Sequence, residues 1–167
     1  GQSSGFDIHA INTPANHIIL FHQQQYSIVK PLWKPALLLL DCKHRANTQQ
    51  TIDKVAHWQK QQWDGGKSIF RKMHDASLLA YRAMTQPNSP PSLRQKWFKK
   101  AMQEANTCYR HWGLIDHHLD QLIQKHLPTY DAITPIGAGG GGYLLLLEKE
   151  TSNSPLTEKE TLSVLSG

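Results

Sequence analysis

The chain has 167 residues, the length of one ordinary domain, and its 39% hydrophobic and 19% charged residues exclude extended disorder. The longest apolar run, Ala36 to Leu40, is far shorter than the roughly 20 residues that cross a membrane. The net charge of +5 and the pI near 9.3 suit an anionic partner or simply a lightly basic soluble protein. Because RNA-module and zinc-finger patterns are missing, nucleic acid is disfavoured as that partner.

The cysteines and histidines predict neither a disulfide framework nor a metal site. Cys42 and Cys108 are too few for such a framework, and the chain does not open with a signal-peptide pattern, so we expect a reducing, cytoplasmic location. Of the ten histidines, His111, His117 and His118 lie close together in sequence. Since no cysteine or carboxylate at ligand spacing completes a set, we predict surface histidines and no bound metal there.

Taken in chain order, the first half predicts two strands and two helices. His17–Phe21 is a short β-branched apolar run typical of a strand, and Ala36–Asp41 is typical of a strand buried on both faces. Asn47 is a predicted N-cap of the first helix, which we expect the Asp-Gly-Gly segment 64–66 to break before a second helix at about 67–85. The predicted apolar faces hold Ile52, Val55, Ala56, Gln59 and Trp63 in the first helix and Ile69, Met73, Ala76, Ala80 and Met84 in the second.

Two further helices are predicted in the second half, each with its own start and stop signals. Ser92 is the predicted cap of the third helix, and Gly113 is expected to end it. Asp116 is the predicted start of the fourth helix, and Pro128 is expected to stop it. The predicted buried residues are Leu93, Trp97, Ala101, Ala105, Cys108 and Trp112 in the third helix and Leu119, Leu122, Ile123 and Leu127 in the fourth.

The C-terminal part predicts two more strands and a last helix. Ala132–Ile136 and Tyr143–Glu148 are apolar runs that we expect to pair as one buried hairpin, and Thr157–Leu165 is predicted to form a short helix. Strands, then several helices, then strands is an order typical of an α+β fold.

A glycine-rich loop, with five glycines in the six residues 137–142, joins the two strands of the predicted hairpin. Such a run could be a flexible linker, but a linker without Ser or Pro between two buried strands would separate them. Glycine favours positive φ and lets the backbone approach a bound group closely, and successive free N–H groups in such a turn bind anions. We therefore interpret the loop as lying close to a phosphate.

Three segments resemble GHMP kinases, the family that includes galactokinase, homoserine kinase, mevalonate kinase and phosphomevalonate kinase. Residues 135–145, Pro-Ile-Gly-Ala-Gly-Gly-Gly-Gly-Tyr-Leu-Leu, resemble the third signature motif of the family. Residues 4–7, Ser-Gly-Phe-Asp, are similar to the SGxD segment of mevalonate and phosphomevalonate kinases. Leu37–Asp41 followed by the Arg-Ala-Asn-Thr segment 45–48 is similar to a strand that leads into a helix through a Thr. The three matches span Ser4 to about Leu147, with the intervening helices similar in layout only.

The resemblance implies a fold and a division of the chain. The implied fold is that of the GHMP kinase C-terminal domain, a ferredoxin-like small sheet packed with about four helices. Residues 1–26 would form the edge of the N-terminal domain, and residues 27–167 the C-terminal domain. The implied function is that of an ATP- and Mg²⁺-dependent kinase acting on mevalonate or phosphomevalonate.

The resemblance also implies roles for particular residues. Asp7 would be the catalytic residue, acting as the base for an alcohol acceptor or as a positioning group if the acceptor is a phosphate. His57-Trp58 is similar to phosphomevalonate kinases, whereas many of those enzymes have an acidic residue where this chain has Gly142, so both acceptors stay open. The implied substrate- and phosphate-binding residues are Ser4, Gly5, Gly137, Ala138, Gly139, Gly140 and Gly141.

The chain departs from the family in one respect that matters for activity. The Gly/Ser-rich segment that wraps the ATP phosphates in these kinases does not occur within these 167 residues. Because one glycine loop and one Asp supply few of the charge contacts that phosphoryl transfer needs, we expect this chain to lack kinase activity without the N-terminal half of the enzyme. A sugar kinase of the same superfamily and a non-catalytic ligand- or partner-binding domain remain the alternatives. For Lys43, His44 and Arg45, contact with an anionic substrate and a solvated turn both stay open.

Overall fold

The computed structural model describes residues 12–22, 25–44, 47–61, 63–137, 139–150 and 162–166, with the backbone alone at 21–22, 63–67 and 162–166. Within these ranges the chain forms six strands and four helices. In chain order they are β1 (Ile18–His22), β2 (Gln25–Val29), β3 (Leu37–Asp41), α1 (Thr48–Gln61), α2 (Trp63–Thr85), α3 (Pro91–His111), α4 (His117–His126), β4 (Ala132–Pro135), β5 (Tyr143–Leu147) and β6 (Leu162–Ser166).

The main sheet has four strands in the order β4-β5-β3-β6. β4 and β5 pair antiparallel, which confirms the predicted hairpin, and β5 also pairs antiparallel with β3, with Leu40 opposite Leu144. β6 pairs parallel with β3, so the predicted helix at Thr157–Leu165 is wrong from residue 162 onward. The physical reason is tertiary, because an open edge of β3 accepts a strand that local sequence preference does not specify.

Alternation along the strands places the helices on both faces of this sheet. Leu144 and Leu146 point to a cluster that includes Leu119 and Ile123 of α4. Leu145 and Leu147 point the other way, to a cluster that also holds Ala83 and Met84 of α2 and Phe98 and Met102 of α3. Leu144, Leu146 and Leu147 are fully buried, which explains why the run reads as continuously apolar instead of alternating.

The helix ends agree with the sequence signals in part. Asn47 caps α1, because its Oδ1 accepts from the N–H of Gln49 at 2.9 Å and of Gln50 at 3.3 Å. Asp116 caps α4 by accepting from Leu119 at 2.8 Å. Gly113, at φ +67°, follows α3 and donates to the carbonyl of Arg110, as predicted.

Two predicted helix starts are wrong. The cap of α3 is Pro90 without a side-chain hydrogen bond, and Ser92 lies inside the first turn. Pro91 at the first helical position needs no N–H partner and has its φ preset, so the helix begins there. α2 begins at Trp63, so Trp63 does not belong to the first helix, and the Asp-Gly-Gly segment 64–66 lies in the first turn of α2 instead of separating the two helices. Glycine weakens a helix by only about 1 kcal/mol per residue, which the packing of the rest of α2 outweighs.

The predicted apolar faces are confirmed for α2 and corrected elsewhere. Ile52 of α1 is 54% exposed and Leu127 after α4 is 43% exposed, so neither belongs to the core. The inward residue in the first turn of α1 is Thr51. Of the predicted stripe of α3, Ala101, Cys108 and Trp112 are buried, whereas Leu93, Trp97 and Ala105 are only partly buried. Because α3 contacts both α2 and the sheet, it also buries residues outside that stripe, namely Arg94, Gln95, Phe98 and Met102.

Side chains of α3 also cover the outer edge of β4. Asn106 donates to the carbonyl of Ile133 at 2.9 Å, and Gln95 donates to Asp131 at 3.0 Å and to the carbonyl of Glu148 at 2.7 Å. An uncovered strand edge invites pairing with other chains. These bonds also fix α3 relative to the hairpin that carries the glycine loop.

β1 and β2 form a separate two-stranded antiparallel sheet. The sequence predicts β1, displaced by one residue, but it does not predict β2 in the polar run that begins at Gln25. Tyr26 and Ile28 of β2 are 49% and 43% exposed. Among the described residues, no helix is long and apolar enough to cross a membrane.

Candidate functional site

The glycine loop connects β4 to β5 through a run of backbone that only glycine adopts readily. Gly137, Gly139 and Gly140 have φ of 69°, 78° and 71°, and Gly141 and Gly142 have φ of 144° and 83°. Positive φ costs other L-residues about 1–2 kcal/mol at each position. The composition of the loop is therefore required by its shape, which argues against a flexible linker.

Both ends of the loop are held by backbone hydrogen bonds. At the hairpin, Ile136 donates to the carbonyl of Tyr143 at 3.2 Å. Beside β3, Gly142 donates to the carbonyl of His44 at 2.6 Å, and Cys42 donates to the carbonyl of Gly142 at 2.9 Å. The loop is thus fixed to the turn that follows the interior strand β3.

The middle of the loop keeps its backbone donors unused. Within the described part of the chain, the N–H groups of Gly139, Gly140 and Gly141 donate to no protein acceptor. Gly139 and Gly141 are nevertheless buried. Successive backbone N–H groups that carry no protein acceptor, in a run of positive φ, are the kind of donors that bind anions. The amides of Gly139, Gly140 and Gly141 are therefore suited to an anion or another acceptor.

Tyr109, near the end of α3, lies directly against this loop. Its hydroxyl donates to the carbonyl of Gly137 at 3.1 Å. A Cβ added at Gly139 would lie 2.8 Å from the Tyr109 ring and 3.1 Å from Cδ1 of Leu114. Glycine is therefore required at position 139 both for its φ and for this close approach.

The turn after β3 brings charged and imidazole groups close to the loop. Lys43 has φ of 54°, and its Nζ lies 3.5 Å from the carboxylate of Asp41. The ring of His44 contacts that of His118 with centroids 6.5 Å apart, and Nε2 of His118 donates to the carbonyl of Cys42 at 3.1 Å. The lysine charge is thus partly offset by Asp41, while His118 braces the backbone beside the loop.

Several predicted site residues cannot be placed relative to this loop. Ser4, Gly5 and Asp7 lie outside the described residues, as do Ala138 and Arg45. Of the predicted site residues, the structure describes Gly137, Gly139, Gly140 and Gly141, which all lie in the glycine loop. The implied catalytic role of Asp7 and the implied binding roles of Ser4 and Gly5 therefore stay predictions.

Besides the glycine loop, the described part of the chain offers side-chain clusters and two surface grooves to consider as candidate sites. Among the described residues, no group of three His, Cys, Asp or Glu side chains could hold a metal ion. An open groove of about 470 Å³ between α2 and α3 is lined by Arg71, Lys72, Lys100 and Glu104 among others. A second, between α1 and α2, is lined by Ile52 and Phe70 among others. Neither groove includes a residue of the glycine loop.

Cys42 is a buried thiol beside the loop and carries a prediction of its own. It is 1% exposed, and burial, with smaller contributions from Asp41 and Asp116, raises its pKa to about 11. At pH 8 the thiolate fraction is then about 100-fold below that of a thiol with pKa near 9. In a Cys108→Ser background, we expect iodoacetamide to alkylate Cys42 at least about 100-fold more slowly in the native than in the denatured protein.

The raised pKa also fixes the direction of a pH effect. Because the folded pKa of Cys42 lies above that of the unfolded chain, its contribution to stability is present below pH 9 and is lost as the pH rises toward 11. In the alkylation experiment, a native Cys42 thiol that reacts with iodoacetamide at pH 8 as fast as the denatured one would contradict its burial.

Comparison with known proteins finds similarity among solved structures. No family model matches the chain, and no curated protein matches it. Among solved structures, the chain is similar to mevalonate kinase from L. major, crystallised with R-mevalonate, at 16% sequence identity and a TM-score of 0.66. The match covers 91% of this chain and 45% of the kinase, so the chain spans less than half the length of that protein. The likeness shows the fold, a mixed α+β arrangement of GHMP kinase type, and confirms the predicted fold class.

The sequence did not point to Tyr109. Its helical spacing placed Ala105 and Cys108 on the predicted stripe, and the ring of Tyr109 meets a loop about 30 residues later in the chain. An aromatic residue near a helix end is too common to single it out. In the sequence, only the glycine loop could have indicated this contact, because a tyrosine ring can approach the backbone this closely only where the Cβ is missing.

Proposed function

We propose that this chain is the C-terminal part of a GHMP-type kinase that transfers the γ-phosphoryl group of ATP to mevalonate or phosphomevalonate. The observation that carries the proposal is the glycine loop, with three unused amides at Gly139, Gly140 and Gly141. Backbone N–H donors that have no protein acceptor can bind the oxygens of a transferring phosphoryl group. The fold shared with a mevalonate kinase supports the same assignment.

In this proposal Asp7 faces the acceptor. An alcohol attacks the γ-phosphorus poorly unless its proton is removed, so with mevalonate the Asp7 carboxylate accepts that proton as the bond to ADP breaks and the bond to the acceptor oxygen forms. With phosphomevalonate the acceptor is already anionic, and Asp7 instead orients a cation. Ser4 and Gly5 complete the acceptor side of the pocket.

The cofactor requirements divide between the two halves of the proposed enzyme. The amides of the loop fit phosphate oxygens, which are acceptors. They do not fit Mg²⁺, which needs oxygen ligands, and no suitable group of side chains occurs among the described residues. We therefore propose that the Mg²⁺ ligands and most contacts to ATP come from residues outside the described part of this chain, including those of the N-terminal half.

The N-terminal half is also the proposed partner of the β1–β2 sheet. A two-stranded sheet is marginally stable alone, and Tyr26 and Ile28 expose apolar surface on it. The division proposed after Tyr26 falls inside β2, so the whole hairpin up to Val29 belongs with the N-terminal edge.

Nuclear magnetic resonance of the ¹⁵N-labelled full chain tests the proposal. We expect mevalonate or 5-phosphomevalonate to shift the amide signals of Gly139, Gly140 and Gly141, with ADP·Mg²⁺ added separately to detect a nucleotide effect. Gly113 is an internal control, because it shares the positive φ but its amide already donates to Arg110. Its signal should stay unchanged.

The other outcomes separate the competing functions. Shifts caused by galactose 1-phosphate but not by the isoprenoid acids would favour a sugar kinase. No shift with any of these ligands, together with tight binding to a protein partner, would favour a non-catalytic domain and would reject the proposal. Catalysis itself is testable only with the N-terminal half added, and we expect the chain alone to show none.

A further inference from the structure

We infer that Tyr109 is a positioning residue that holds the glycine loop with the amides of Gly139, Gly140 and Gly141 free for a phosphoryl group. The inference rests on the proposed function of the loop and extends it to a residue outside any recognised motif. Tyr109 itself need not touch the substrate, because it acts on the backbone that would.

Two contacts on either side of Ala138 let one side chain fix the loop. The Tyr109 hydroxyl donates to the carbonyl of Gly137 at 3.1 Å. Its ring packs against Gly139 so closely that an added Cβ would lie 2.8 Å from Cδ1 and Cε1. The hydrogen bond orients the peptide that leaves Gly137, and the ring limits where Gly139 can move.

Tyr109 is itself held firmly enough to act as an anchor. Its ring meets that of Trp112 edge-on, at 6.0 Å and 90°. Its carbonyl accepts from Leu114 at 2.9 Å, in the turn that ends α3. One turn earlier, Asn106 bonds the carbonyl of Ile133 in β4, which ties this part of α3 to the strand that leads into the loop.

The hydroxyl remains a donor over the working pH range. Burial, followed by the neighbouring Cys108, raises the pKa of Tyr109 above its ordinary value, so the phenol stays protonated below that value. A phenolate could not donate to the carbonyl of Gly137. The anchor is therefore constant through neutral pH, and any pH dependence of the loop there must come from other groups.

The test compares Tyr109→Phe with Tyr143→Phe in the full chain. Tyr109→Phe removes one hydroxyl and keeps the ring. Tyr143 adjoins the same loop, is 41% exposed, and its hydroxyl donates to no acceptor in the described part of the structure. We expect Tyr109→Phe to shift and broaden the loop glycine signals without ligand and to weaken 5-phosphomevalonate binding by roughly three- to ten-fold, the effect of one lost hydrogen bond. Tyr143→Phe should leave both unchanged.

Unaltered glycine signals and affinity in Tyr109→Phe would overturn the inference. A drop in thermal stability alone, with both readouts unchanged, would also overturn it, since that result describes a merely structural tyrosine. If wild type binds no isoprenoid acid while Tyr109→Phe still disturbs the loop signals, the positioning role stands and the proposed function fails. If wild type binds and Tyr109→Phe binds equally well, the function stands and the positioning role fails.

Discussion

Gly139→Ala is expected to destabilise the protein by about 1–3 kcal/mol more than Gly137→Ala, which is the range for overpacking a filled site. The two glycines lie in the same loop and have similar φ, 78° and 69°. Both variants therefore carry the same conformational penalty of about 1–2 kcal/mol for a side chain at positive φ. They differ in the space that a methyl group would enter.

At Gly137 no atom lies within 4 Å of an added Cβ, whereas at Gly139 the Tyr109 ring lies at 2.8 Å. The ring cannot yield cheaply, because it packs edge-on against Trp112, which is itself buried. The loop backbone must then move to make room for the methyl group. Binding of 5-phosphomevalonate should consequently suffer more from Gly139→Ala than from Gly137→Ala.

Denaturant unfolding of both variants, each repeated in a Tyr109→Ala background, measures the difference. Removing the ring opens the space beside Gly139, so we expect the excess cost of Gly139→Ala to shrink there while the cost of Gly137→Ala stays nearly constant. Such a double-mutant cycle isolates the contact between the two positions. Equal costs for the two glycine variants in the wild-type background would show that Tyr109 does not confine the loop.

The glycine loop illustrates what the sequence could predict about this site. Positive φ is a local property with a local signal, so the run at 137–142 indicated a special backbone. The hairpin around it was equally readable, because its two strands flank the loop directly. What the sequence could not supply was the partner of the loop, since the contact of Tyr109 with Gly139 joins residues 30 positions apart without a periodic pattern.

The same distinction explains the fold predictions. The caps Asn47 and Asp116 were predictable, because each side chain accepts from a backbone N–H only two or three residues further along the chain. β6 was not predictable, because its pairing with β3 joins residues more than 120 positions apart and overrides the local preference of its segment. Ile52 reads as core from periodicity alone, yet Thr51 takes the inward place on α1.

Arg94→Met is expected to lower the free energy of unfolding by about 3–5 kcal/mol, because it removes three hydrogen bonds from a charged donor, each contributing about 1.5–3 kcal/mol but not additively. Arg94 is 6% exposed, and its guanidinium donates to the carbonyls of Ala83, Gln86 and Ser89 at 2.9, 2.5 and 2.8 Å. Those carbonyls lie at the C-terminal end of α2 and just beyond it, where helical acceptors lack backbone partners and the helix dipole favours a cation. Methionine fills similar space but leaves all three acceptors without this donor.

Arg82→Met is the matched control, because Arg82 lies near the same end of α2 but is exposed. Its guanidinium lies 4.6 Å from the Trp97 ring centroid, and an exposed cation–π contact contributes about 0.5–1 kcal/mol. Urea unfolding should therefore separate the two variants by at least about 2 kcal/mol, as the difference between these ranges.

Arg94 and Tyr109 are 15 residues apart on α3, about 22 Å along the helix axis. The folded Arg94→Met protein should consequently keep the wild-type signals of the loop glycines. Arg94 bonds the end of α2 from the first turn of α3, whereas Tyr109 contacts the loop from the last turns of α3. Altered loop signals in that variant would mean that the α2–α3 junction, and not Tyr109 alone, sets the position of the loop.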